Sequence, residues 1–177
     1  MSDQSAQTPD HLFDDAWKSM NEELSGESDR AAAIVGCALL DERLAELLAD
    51  FLVQNADGRS DLLSSEDANA PLGSFASRIV AAYAVGLIDK AERDALRKLK
   101  KIRNLFAHKL GLSFTEQAIV AHCAEAQKLC PTTNYTGAER GPRELFQHTV
   151  AFLAGKIAER RYWRRITVPG TLNIADL

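Results

Sequence analysis

Apolar residues in this 177-residue chain recur every three or four positions, and nowhere do they alternate with period two for long enough to require a sheet. That restricts the chain to packed helices. Ser28 is a good N-cap for a first long helix reaching about Val53, with Ile34, Leu40, Leu44, Leu47, Leu48 and Phe51 at helical spacing. Residues 54–71, with Gly58, Pro71 and several Asp, Asn and Ser residues, read as a loop. A further helix is expected over Phe75–Ile88. Asp89 with Glu92 three residues on opens the next, which runs to about Lys109 before Gly111. Ser113-Phe114-Thr115-Glu116 reads as a capping box for a helix that Pro131 ends, and Gly141-Pro142 starts the last, reaching about Ile166. A shorter helix is expected over His11–Leu24, closed by Ser25-Gly26. The expectation is one all-α domain over residues 11–166, a bundle of about five to six helices. Residues 1–10 form a polar, disordered tail and residues 167–177, with Pro169-Gly170, a C-terminal arm.

No apolar run approaches the roughly 18 residues that span a bilayer, and residues 1–10 lack a signal-peptide pattern, so a cytoplasmic protein without membrane contact is expected. Cys37, Cys123 and Cys130 are odd in number and lie outside any Cys-x-x-Cys pair, which reads as three small buried side chains rather than a disulfide framework. The net charge of −4 hides an asymmetry. Residues 1–67 hold 16 acids against 4 bases, and residues 68–177 hold 9 against 17. Overall acidity therefore does not exclude a polyanionic partner.

Several chemistries are missing. His11, His108, His122 and His148 stand on different helices, without metal-ligand spacing, and His11, His122 and His148 read as structural. No Gly-rich phosphate loop or Gly-x-Ser-x-Gly elbow is present. No metal and no cofactor is expected.

The helix ending at His108 is the most informative segment. On a 100° wheel Ala91, Ala95, Leu99, Ile102 and Phe106 share one face, which must be buried. Lys90, Arg93, Arg97, Lys101, Asn104 and His108 share another. This stripe is roughly 27 Å long, enough to follow several phosphates of a nucleic-acid backbone through Arg93, Arg97 and Lys101. For the stripe alone, a solvated face that keeps the bundle soluble is the reading placed first. Arg103 lies apart, beside Leu96, Leu99, Ala107 and Leu110 at the margin of the apolar face, where a guanidinium needs a partner. That partner is either an acid such as Asp41 or Glu42, or a phosphate held in a groove between subunits. A second basic cluster, Lys156, Arg160, Arg161, Arg164 and Arg165, is interleaved with Tyr162 and Trp163. These arginines suit phosphate gripping beside stacking rings, or pairing with the acidic N-terminal third.

Arg103-Asn104-x-x-x-His108 resembles the Arg-x(4–6)-His signature of HEPN domains. Pro71-Leu72-Gly73, Arg78, Tyr83-Ala84-Val85-Gly86-Leu87-Ile88, Arg103 to His108 and Phe114-Thr115 resemble the mannitol-operon-repressor (MltR-like) family, over about a quarter of the chain. The HEPN resemblance implies a helical bundle that dimerises so that two motifs face each other, often as a metal-independent endoribonuclease and otherwise as a non-catalytic partner. It makes Arg103, Asn104 and His108 the candidate catalytic residues. RNA supplies its own 2′-OH nucleophile, so His108 would move a proton, Arg103 would hold the non-bridging oxygens and Asn104 would position the phosphate. The MltR resemblance implies transcriptional regulation, although no compact helix-turn-helix with a recognition helix is visible. Residues five apart stand about 140° from each other on a helix, so a site uniting Arg103 and His108 calls for a homodimer or a distorted helix. The alternative is a regulator that binds a protein partner through the same helical dimer.

Overall fold

The computed structural model describes residues 18, 20–22, 24, 26–52, 55–130 and 140–167, with side chains through 163 in the last helix. The expected tail and arm lie outside the described residues, apart from Thr167 at the last helix's end, as does most of the expected helix over 11–24. The residues described at 18, 20–22 and 24 are helical, and Met20 and Leu24 are buried.

The helices with described bounds are α1 (Asp29–Leu52), α2 (Ala56–Leu63), α3 (Phe75–Ala84), α4 (Lys90–His108), α5 (Gln117–Leu129) and α6 (Pro142–Thr167). No strand occurs among the described residues, and the fold is an all-α bundle. No helix among them is long and apolar enough to cross a membrane.

α4 organises the bundle. Asp89 and Glu92 form a reciprocal capping box, with the Glu92 amide donating to Asp89 Oδ1 at 2.9 Å and the Asp89 amide to Glu92 Oε2 at 2.8 Å. Gly111, at φ 70°, turns the chain shortly after the helix ends. Ala95, Leu96, Leu99, Ile102 and Phe106 are buried, and α4 packs against α1, α3 and α5. α1 runs antiparallel to it: Arg30 Nη2 donates to the Ala107 carbonyl at 3.0 Å, while Cys37 Sγ donates to the Leu99 carbonyl at 3.4 Å. Phe114 packs between Phe106 and Phe146, with ring centroids 5.0 and 5.3 Å away, tying α4 to α6. α1 approaches α6 closely at Gly36, where a Cβ would stand 3.0 Å from the Phe146 ring.

Three local expectations need correction. Residues 54–71 are not simply a loop, because Asn55 Oδ1 accepts the Gly58 amide at 2.7 Å and caps the short helix α2. Only Leu63 of α2 is buried, so no apolar stripe announced it. Ser113 does not cap α5, whose N-cap is Glu116 and carries no side-chain cap bond. Burial of Phe114 instead holds 113–116 in a turn, whose Phe114 amide donates to Asp29 Oδ2 at 2.9 Å. Ile34, expected in the core, is 38% exposed.

Candidate functional site

The basic stripe of α4 divides into two halves with different fates. Asp94 stands within its N-terminal half, with Lys90 Nζ at 3.4 Å, Arg93 Nη2 at 2.7 Å and Arg97 Nη1 at 3.9 Å. The Arg93 hydrogen bond holds the Asp94 carboxyl below its ordinary range, with Lys90 contributing. Arg93 also lies over the Tyr83 ring, 4.2 Å from its centroid, so it is committed inside the fold. Asp94 follows Lys90 by four residues, and the wheel could have placed it on the stripe.

The C-terminal half is open. Lys101, Asn104, Leu105, His108 and Lys109 line a cleft of about 340 Å³ between α4 and α5, closed on the α5 side by His122. Lys101, His108 and Lys109 are exposed, and Asn104 is half-buried. None of these four side chains makes a hydrogen bond or ion pair among the described residues. Two lysines, an asparagine and a histidine with uncommitted side chains therefore line one concavity, whose lining is mainly apolar. That combination suits an anion with several acceptor oxygens.

His122, read from the sequence as structural, belongs to this cleft. It flanks the buried Ile119, Cys123 and Ala126 of α5, and this position at the edge of an apolar stripe was the available signal. Its Nδ1 is closed off from solvent and stands 3.7 Å from Glu125 Oε2, beyond hydrogen-bonding distance. Glu125 in turn pairs with Lys98 of α4, whose hydrogen bond holds that carboxyl below its ordinary range.

Arg103 is not in the cleft. The antiparallel register of α1 places it beside Cys37 and Ile34, half-buried, and it forms no hydrogen bond or ion pair among the described residues. Asp41, one acid considered for it, is taken by Arg78 at 2.5 Å, and Glu42 is exposed. Within one chain the structure thus brings Asn104 and His108 together and leaves Arg103 on another face.

The α6 cluster turns largely inward. Arg160 Nη2 donates to Glu92 Oε1 at 2.7 Å, and Arg161 pairs with Glu46 and with Asp50, the latter at 2.7 Å. Arg161 thus takes the pairing with the acidic N-terminal third that its sequence allowed, while Arg160 finds its acid at the start of α4. The side chains of Arg164 and Arg165 lie outside those described. Tyr162 and Trp163 stand edge to face, with ring centroids 5.5 Å apart.

The three cysteines are free and buried. Burial pushes each thiol up to about 12, which keeps it protonated and poorly nucleophilic. Among the described residues no group of three or more His, Cys, Asp or Glu is placed to hold a metal ion. No family model matches the chain, and no similar curated protein or solved structure is found.

Proposed function

We propose that this protein is an HEPN-like, MltR-like RNA-binding protein that holds a phosphate of single-stranded RNA in the α4–α5 cleft and cleaves the chain there without a metal ion. The observation that carries this reading is the uncommitted set Lys101, Asn104, His108 and Lys109 around one concavity, while most of the other described arginines are paired. Lys101 and Lys109 neutralise phosphate charge, Asn104 donates to a non-bridging oxygen, and His108 exchanges a proton with the reacting oxygens.

Binding of a single-stranded RNA oligonucleotide is expected to weaken with salt by roughly 0.7 log units per log unit of salt for each phosphate contact. Lys101→Ala flattens that slope by about one contact's worth, whereas Arg161→Ala does not. Absence of binding at low salt, or binding indifferent to salt, refutes the reading. Cleavage is expected in excess chelator with a 2′,3′-cyclic phosphate product, and His108→Ala lowers its rate by about a hundredfold or more.

A second reading draws on Arg103. A half-buried guanidinium without a partner among the described residues, near the exposed Ile34, fits a contact with a second copy. In that reading the protein is a homodimeric regulator that meets a protein partner through the helical dimer. Binding of RNA in the cleft separates the two readings.

A further inference from the structure

We propose that His122 is a second catalytic imidazole of the cleft, acting as general base opposite His108 as general acid, so that the acid–base pair is complete within a single chain. The inference rests on the reading of the cleft as an RNA site and adds to it a residue outside the Arg103–His108 motif.

Four observations converge. His122 lines the same cleft as Lys101, Asn104 and His108, but from the other helix, so the two imidazoles stand on opposite walls. Its Nδ1 is shut away from solvent on the side of Glu125, which leaves Nε2 as the nitrogen available to the cleft. The Glu125 carboxylate 3.7 Å from Nδ1, beyond hydrogen-bonding distance, acts on that nitrogen only through its charge. Lys98, reaching across from α4, pairs with Glu125 at the exposed edge of the two helices. A base on one helix and an acid on the other, lining one cleft, is an arrangement that coupled proton transfer can use.

The reaction balances on these two side chains. His122 Nε2 takes the proton of the ribose 2′-OH, and the 2′-oxygen forms a bond to phosphorus. The bond from phosphorus to the 5′-oxygen breaks, and that oxygen takes a proton from protonated His108. The products are a 2′,3′-cyclic phosphate and a free 5′-hydroxyl, and the proton held by His122 returns to His108 through solvent. Lys101 lies against the negative charge that builds on the non-bridging oxygens. Glu125 is a positioning residue, since it acts only through His122.

The test uses the full-length protein with a single-stranded oligoribonucleotide in excess chelator, measuring binding, cleavage rate against pH, and melting temperature. Wild type should give a bell-shaped pH–rate profile. His122→Gln should bind RNA as wild type does and melt normally, yet cleave about a hundredfold more slowly, with the acidic limb of the profile lost. Glu125→Gln should lower kcat without raising KM. A 2′-deoxy residue at the scissile position should abolish the reaction. Unchanged cleavage by His122→Gln overturns the proposal and leaves the cleft as an RNA site. RNA binding without cleavage by wild type also overturns it while sparing the binding part of that reading. Absence of RNA binding removes both.

Discussion

Arg78 shows how much one side chain can hold together. It is 5% exposed and spends its guanidinium on three partners: the Leu72 carbonyl from Nε at 2.8 Å, Asp41 from Nη1, and the Leu63 carbonyl from Nη2 at 2.7 Å. These bonds join α1, the end of α2 and the segment leading into α3. Removing one partner of a buried ion pair leaves an uncompensated charge, so Arg78→Ala should cost about 3–5 kcal/mol in urea unfolding. Arg78→Lys should fail to rescue it, because an ammonium cannot reproduce the three-way fork. Unfolding midpoints indistinguishable from wild type would remove Arg78 from this role. Arg78 was visible in the sequence only as part of a resemblance, since its partners lie 37, 15 and 6 residues away and two of them are main-chain carbonyls. His148 carries a pH dependence. Burial holds its pKa below 6.5, with Arg140 adding to the effect and Glu144 opposing it. The unfolded chain therefore takes up a proton first as pH falls below about 6.5, and stability declines from there down to the lower folded pKa. His148→Gln should flatten the melting temperature against pH in that window, and an unchanged slope would assign the acid sensitivity to other groups.

Helix boundaries followed local chemistry wherever a cap and an apolar stripe agreed. α4 is the best case, because Asp89, Glu92 and the Ala95–Phe106 face all give the same start and the same buried side. α2 has a local Asn55 cap but no apolar stripe to match it, and the turn before α5 was hidden because its cause is tertiary. Leu63 is fixed by a guanidinium from α3, and Phe114 by rings from α4 and α6. The α4 cap itself reaches beyond its own helix, since the carboxylate of Glu92 also receives Arg160 of α6. Asp89→Ala removes one cap acceptor and should cost about 1 kcal/mol. Glu92→Ala removes the reciprocal cap and also strips Arg160 of its acid, so it should cost more than Asp89→Ala in the same denaturation experiment. Equal costs would mean that Arg160 contributes nothing across the α4–α6 junction.

At the scale of the whole molecule the charge asymmetry finds its purpose in the fold. The pairs Arg78–Asp41, Arg143–Asp29 and Arg161 with Glu46 and Asp50 each join the acidic first 67 residues to the basic remainder. Composition exposed the imbalance but not which bases it consumes, and this is why Arg161 looked as available as Lys101. Arg103 is outside this pairing. The register of α1 on α4 sets it near Ile34, with Arg30 one turn further along at the Ala107 carbonyl. A guanidinium at the margin of a core, adjoining exposed apolar surface, is stabilised if a second chain supplies an acceptor and covers Ile34. The expected outcome is a dimer in multi-angle light scattering at micromolar concentration. Ile34→Asp should shift it towards monomer, since it places a carboxylate in the contact. Monomers must melt cooperatively for the result to report on the interface. Loss of the dimer with RNA binding intact would separate the cleft from the contact; joint loss would place both in one shared site. A wild-type monomer at these concentrations would leave Arg103 as a solvated side chain and end the dimer proposal.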